Sequence, residues 1–396
     1  MVTGIRDKQS LNMDNIKIFI LQRLLPHYRT GFFRKFIQKR PCSEIIYGQP
    51  FKAESLKNST EVSGDKFIFR KNFYFGNSGK IFISDIYTDL FKSRPDVVIS
   101  VFNVGNLNIY ILFLLRYFLK YKIILWSFGY DPVKGFNPEK NFADKLRLKL
   151  SEKADAVLFY WEKGKKEIES FTKNSGHFFV APNTLDTDRQ FSLKYKFDET
   201  GIENLKKELK VNEKFHFIYT GRLLKDKQVD LLLKAFKKLE EINPDCRLSI
   251  IGNGSEYNYL KKLSEDLKAV NIYFLGEILD EETAGKWIYI SDAYVMPGRL
   301  GLSVVHSFCF GTPVISQKKN SHYHGEGIGY IKEGVNGFLA SDGNVNEITE
   351  IMNRIISDKE LSEKLKHNAF ETAKNDCSVD KMLDGFDSAI NYVMKN

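Results

Sequence analysis

Short runs of Val, Ile, Leu and Phe recur along the chain, separated by longer stretches in which apolar residues return every three or four positions. The first half carries "NIKIFIL" (15–21), "SEIIYG", "FIFRKNFYF", "DVVISVF", "KIILWSFG", "ADAVLFY" and "HFFVAPN", all of strand length. Helical spacing fills Thr30 to Arg40, Asn108 to Leu119, Phe142 to Glu152 and Glu162 to Thr172. Continuous apolar strands alternating with helices predict a mainly parallel sheet covered on both faces.

The alternation stops at "NTLDTDRQFSLKYKFDETGIENLKKEL", which is polar and without a strand, and restarts at "FHFIYTG". Helical segments from Val229, Glu256, Glu281 and residue 301 then separate "RLSIIG", "NIYFLG", "DAYVMP" and "PVIS"; "NGFLA" and three more helical segments close the chain. The expected fold class is α/β, with two doubly wound, Rossmann-like units joined near residues 190–205. Ligands of such sheets sit at the carboxyl ends of the strands, so both units would line a cleft between them.

Composition narrows the class. The 396 residues suffice for two cores, and 43% apolar with 28% charged residues is a globular balance. The four cysteines, Cys42, Cys246, Cys309 and Cys377, fit no metal-ligand spacing and read as free, mostly buried thiols of a reducing compartment. The opening "MVTGIRDKQSLNMDN" lacks the form of a cleavable signal. The greasiest run, residues 107–126, is interrupted by Arg116, Lys120 and Lys122, short of the ~20 apolar residues of a membrane span. A cytoplasmic chain is therefore expected.

Charge divides the halves. Residues 1–196 carry 33 Lys and Arg against 19 Asp and Glu, and the remainder 26 against 31. A basic first half would face an anion: a phospholipid leaflet, a lipid-linked phosphate or a nucleic acid. With no helix-turn-helix or RNA-binding strand motif, nucleic acid is not expected. Basic residues mix with aromatics in "LQRLLPHYRTGFFRKFIQKR" (21–40), a pattern suited to the inner membrane leaflet or to a phosphate-bearing acceptor. The plainer reading of that helix, with Phe33 and Phe36 inward and the lysines in water, stands beside it.

Candidate chemistry concentrates in three strand-end turns of the second half. In "IYTGRLLKDKQVDLLLKAF", Gly221 ends a strand, Arg222 follows it, and Lys227 stands at the start of a helix. A guanidinium fork, an ammonium and a helix N-terminus suit a diphosphate. "IIGNGSE" supplies Gly252 and Gly254, without the third glycine of a dinucleotide fingerprint. "PGRLGLSVVHSFCFGTPVI" supplies Gly298 and Gly301, and the amides of Gly301, Leu302 and Ser303 would open a helix toward an anion.

These segments, with "IYFLGEILDEE" and "GVNGFL", stand in the order and spacing of GT-B glycosyltransferases of family 4, which the chain resembles over nearly its whole length. "LPHYRTGFFRK", "SEKADAVLFYWEKGKKEI" and "VAPNTLD" extend the likeness into the first half. The resemblance implies an acceptor domain at 1–195, a nucleotide-sugar domain at 196–375, and a last helix, 376–396, returning to the first domain. It implies retaining, metal-independent transfer of a sugar from a UDP- or GDP-type donor, with no other cofactor, to a saccharide or lipid-linked saccharide. By position, Arg222 and Lys227 would hold the donor diphosphate, and the 301–303 amides its distal phosphate. Gly252, Gly254, Gly276 and Glu277 would border the base, and His27, Tyr28 and Arg29, with Tyr130 and Asp131, would line the acceptor side.

The family's usual motif, E-G-F-G-L-x-x-x-E, places one glutamate on the donor sugar and one on the ribose; here those places are Gly298 and His306. A subset reading P-G-x-x-G-L-x-x-x-H-S fits better, with His306 a donor to ribose or base, or else a core histidine. Glu326 in "HYHGEGIGYIKEG" is then the candidate acceptor for donor-sugar hydroxyls. His322, His324 and Glu326 lack the spacing of a metal site, and the D-x-D at Asp186 and Asp188 reads as loop and cap. With both glutamates replaced, a GT-B-shaped partner that binds a nucleotide or another transferase without chemistry is the alternative. A sugar-nucleotide epimerase would need an acid–base carboxylate pair that the sequence does not offer.

Overall fold

The computed structural model describes residues 15–396 apart from 53, 55, 63, 132–133 and 320–322; the polar start of the chain and His322 lie outside the described residues. The first half runs β1 (Ile18–Gln22), α1 (Thr30–Lys39), β2 (Ser43–Tyr47), β3 (Phe67–Phe69), β4 (Asn72–Phe75), β5 (Ile81–Ser84), α2 (Tyr87–Ser93), β6 (Val97–Val101) and α3 (Leu107–Leu119). It continues through β7 (Lys122–Ser127), α4 (Phe142–Lys153), β8 (Ala156–Phe159), α5 (Glu162–Glu169) and β9 (Phe178–Val180). Seven strands form one parallel sheet in the order β3-β2-β1-β6-β7-β8-β9, while β4 and β5 make a separate antiparallel ribbon.

That ribbon departs from the sequence reading, which takes "FIFRKNFYF" as one strand. Asn72 breaks it. Its side chain donates to the Arg23 and Gln49 carbonyls at 2.6 and 2.9 Å and accepts from Ser84 Oγ at 2.6 Å. A buried amide must be satisfied, so the chain turns where its partners are rather than extending the sheet.

The polar break, read as without a strand, is two helices, α6 (Thr187–Thr200) and α7 (Ile202–Glu208). Asp186 caps the first by accepting from the Arg189 N–H, and Asp188 pairs with Lys35. The second sheet follows with β10 (Phe215–Thr220), α8 (Val229–Ile242), β11 (Cys246–Ile251), α9 (Tyr257–Asp266), β12 (Ile272–Gly276), α10 (Glu281–Tyr289), β13 (Ala293–Val295), α11 (Ser303–Cys309), β14 (Val314–Gln317) and β15 (Gly337–Ala340). All six strands are parallel, in the order β12-β11-β10-β13-β14-β15. Three helices end the chain: α12 (Val345–Ser357), α13 (Lys359–Asp376) and α14 (Val379–Lys395).

α14 returns to the first sheet. Phe386 packs 4.9 Å from the Phe32 ring and 5.0 Å from Trp126, closing the core under α1. The same helix answers the charge of α1. Lys35 reaches Asp188 and Asp380 at 2.7 Å, and Lys39 and Arg40 both reach Asp387 at 2.6 Å. Most cations of α1 are thus paired within the chain, Arg34 and Lys39 stay exposed, and the phenylalanines point inward, as the plainer reading has it. No helix among the described residues is long and apolar enough to cross a membrane.

Candidate functional site

At the carboxyl edge of the second sheet, backbone hydrogen bonds fasten three loops together. Gly221 N–H donates to Ile251 O at 2.9 Å, Leu223 N–H to Asn253 O at 2.9 Å, and Glu256 N–H to Leu223 O at 3.0 Å. From the third loop, Gly298 and Arg299 N–H donate to Lys227 O and Asp226 O, each at 2.9 Å. The spacing is glycine-dependent. A Cβ at Gly252 would lie 1.9 Å from Gly221 O, and one at Gly298 would lie 2.2 Å from Asp226 O. Gly254 abuts Leu223 O in the same way, and Gly276 O accepts from Gly252 N–H at 2.7 Å, tying in the loop that presents exposed Glu277.

This closure gathers cations. Lys227 Nζ donates to Arg299 O at 2.5 Å. Burial holds its ammonium below the usual lysine range, and the charges of Arg299 and Arg222 push the same way, against Asp226. Arg222, Lys227 and Arg299 thus share one field, in which an anion would restore the lysine's ordinary basicity. Arg299 is absent from the sequence reading because it fills an "x" of the motif; only the folded loop turns it toward Lys227. Beside it, Gly301 has open space on its Cβ side, and among the described residues α11 starts without a side-chain cap hydrogen bond.

His324 secures this loop. Its Nδ1 accepts from Leu300 N–H at 3.2 Å and its Nε2 donates to Gln317 O at 3.0 Å. Both ring nitrogens are engaged and burial pulls the imidazole down to about 4, so the ring is neutral and structural. Among the described residues no group of three His, Cys, Asp or Glu side chains could hold a metal ion.

His306 is half-buried, while its Nε2 is fully buried and has no hydrogen-bond partner. Burial pulls its imidazole down to about 4, opposed by the nearby Glu281 carboxylate. The ring borders a cavity of about 190 Å³ between the two units, shared with His27, Tyr28, Asp186, Gln190 and Glu281. Glu281 crosses the gap: one oxygen is 2.9 Å from His27 Nε2, and the other takes Arg189 Nε at 2.9 Å and Gln190 Nε2 at 3.3 Å. Donor and acceptor candidates thus meet at one place, through a carboxylate whose sequence setting is an ordinary helix start.

The first sheet's candidates divide. His27 and Tyr28 face the cavity, but Arg29 turns inward. Its guanidinium lies 4.4 Å from the Trp126 ring centre and donates to Gln22 Oε1 at 3.0 Å, Tyr160 Oη at 3.1 Å and Asn183 Oδ1 at 3.2 Å. Tyr130 is also a core residue, 4% exposed among Phe128 and Trp161, and burial raises its phenol. Asp131 closes a turn, accepting from Lys134 N–H at 3.2 Å. The sequence sets these three at strand ends and cannot show which way they turn. Glu326 lies across the cleft, accepting from Asn183 Nδ2, and Asn183 also takes Arg29; Asn183 has no signal beyond the "APN" it sits in.

Residues 201–372 match the family model of Glycosyl transferases group 1. The chain is 26% identical over 226 residues to a poly(glycerol-phosphate) alpha-glucosyltransferase of Bacillus subtilis, covering 56% of this chain and 30% of that one. It is 28% identical over 300 residues to the uncharacterized glycosyltransferase MJ1069 of Methanocaldococcus jannaschii, covering 72% of each. The chain therefore spans under a third of the length of the Bacillus relative. Its fold is that of HepE of Anabaena, solved in complex with UDP, with a TM-score of 0.67 at 16% identity over 95% of this chain and 100% of that one. The fold is GT-B, and within it residues 201–372 are similar to the group 1 glycosyl transferases.

Proposed function

We propose that this chain, built around a group 1 glycosyl transferase domain in a GT-B fold, moves a sugar from a nucleotide-sugar to a saccharide or lipid-linked saccharide, retaining configuration without a metal. The observation that carries the reading is the joint field of Arg222, Lys227 and Arg299, held by loops that only glycine permits. The donor is of UDP or GDP type, and no other cofactor takes part. Its diphosphate lies against these cations, with the 301–303 amides on the distal phosphate. His306 Nε2, buried and unbonded, hydrogen-bonds the ribose or base.

As the sugar–phosphate bond breaks, charge accumulates on the leaving diphosphate, where preorganised donors contribute about 3–4 kcal/mol each by analogy with oxyanion holes. A leaving phosphate oxygen takes the proton of the acceptor hydroxyl, which attacks the same face of the sugar. Glu326, already accepting from Asn183, is suited to sugar hydroxyls. No carboxylate nucleophile is required, in keeping with glycine at position 298. Bacterial surface-polysaccharide assembly on the cytoplasmic side is the setting this chemistry fits.

A thermal-shift panel of UDP-, GDP-, ADP- and dTDP-sugars identifies the donor, because ligand at 100 times its Kd stabilises by about 2.7 kcal/mol. Donor hydrolysis or transfer by the purified chain is then expected. Binding without turnover would replace the proposal by a non-catalytic nucleotide-binding partner, and no shift with any donor would reject both.

A further inference from the structure

Two adjoining elements of the first domain turn their apolar side outward. In the β4–β5 ribbon, the inward positions are Asn72, Tyr74, Phe82 and Ser84, and the Asn72–Ser84 pair is buried and hydrogen-bonded. The opposite face holds Phe73, Phe75 and Ile81, each 46–50% exposed. A two-stranded ribbon on a protein surface ordinarily does the reverse. The ribbon joins α3 directly, with Phe82 N–H donating to Gly105 O at 3.0 Å and Ser84 N–H to Asn108 Oδ1 at 3.2 Å.

α3 repeats the inversion. Asn108, Ile109 and Leu112 are its buried side, yet Leu114, Tyr117 and Phe118 on its outer side are 61%, 72% and 74% exposed. A helix apolar all round belongs inside a core or a bilayer, and at 13 residues this one cannot span a bilayer. Contiguous exposed apolar surface of this kind marks a site of contact.

Charge selects the partner. Residues 66–153, which enclose both elements, hold fifteen Lys and Arg against seven Asp and Glu, more than half of the first half's excess of positive charge. Lys71 lies over the Phe73 ring at 5.2 Å, and exposed Lys80 and Lys120 stand beside Ile81 and at the end of α3. Aromatics interleaved with lysines match the interface of an anionic bilayer, where rings enter the headgroup boundary and each cation near the surface adds attraction. α3 begins at the carboxyl end of β6, so its outer stripe runs away from the edge of the sheet that lines the cleft.

We infer that the outer face of β4–β5 and α3 is a docking surface for an anionic lipid leaflet, which replaces α1 as the membrane-facing element. The inference does not depend on the transfer reaction. The test is co-sedimentation of the purified chain with vesicles of phosphatidylcholine alone or with about 30% phosphatidylglycerol. Binding to the anionic vesicles is expected, at least tenfold stronger than to neutral ones and weakened by salt. A Tyr117→Ser/Phe118→Ser variant and a Phe75→Ser/Ile81→Ser variant each lower it at least tenfold while keeping the wild-type melting temperature. Should either variant fail to fold, hydrogen exchange of the wild-type chain reads the same surface, with vesicles slowing exchange within 72–84 and 107–119. Wild-type protein that stays in the supernatant with anionic vesicles overturns the inference. So does protection confined to other segments, or a dimer in light scattering that the same substitutions dissociate, which would make a second copy the occupant.

Discussion

The carboxyl edges of the two sheets are built by opposite means. On the second sheet, backbone bonds to backbone across glycines, and Arg222, Lys227 and Arg299 stand near enough to share one field. On the first, side chains do the fastening. Arg29 braces Gln22, Tyr160 and Asn183, Tyr130 fills a core, and Asp131 caps a turn. An edge assembled from backbone relies less on polar side chains to hold itself together; an edge assembled from side chains consumes them.

The largest expected effect tests the cations of the second sheet. Arg222→Ala lowers turnover at least ~100-fold with the fold intact, in a steady-state assay with the identified donor. Near-normal transfer would remove the phosphate assignment. On the other edge, Arg29→Ala leaves buried acceptors on Gln22 and Asn183 unpaired and lowers unfolding free energy by about 2–3 kcal/mol, read by urea denaturation. If it changed acceptor KM without touching stability, the contrast between the edges would fail.

A paired glycine test sharpens the first edge. Gly298→Ala forces the third loop off Asp226 and Lys227 and costs about 1–3 kcal/mol, with loss of the donor-induced thermal shift. Gly301→Ala, with open space around its Cβ, stays within about 0.5 kcal/mol.

Acid acts on imidazole rings of the second unit, at its edge and in its core alike. His306 and His324 have folded pKa values near 4, below the ordinary 6.5, so the unfolded chain takes up protons first. His216, fully buried between Ser249 and Ser291, is depressed in the same direction. The contribution of His306 and His324 is complete above pH 6.5 and falls between 6.5 and about 4, by up to about 1.4 kcal/mol per pH unit for each of the two, and that of His216 falls with acid in the same sense. Melting temperature against pH reads it, and His324→Gln should flatten the slope.

The likeness of the ends is uneven in the sequence too. The second sheet's turns are legible because glycine is required wherever backbone meets backbone, and that requirement is written at fixed positions: Gly221, Gly252, Gly298. The order of strands and helices is legible for the same local reason, since a parallel strand buried on both faces needs an unbroken apolar run. Even the seam at α1 follows from Phe33 and Phe36 being spaced for one face.

What the tertiary structure alone decided is direction and pairing. Nothing near Arg29 in the chain says that Asn183 and Tyr160 wait for it, nor that Glu281 reaches His27 across the gap between the units. "FIFRKNFYF" reads as one strand, and only the Asn72–Ser84 pair turns the apolar face of its second half to the outside. Local sequence fixes where backbone can go, because sterics act over a few residues. Which way a charged or amphipathic side chain points depends on partners from a dozen to more than two hundred positions away, brought close only by the fold.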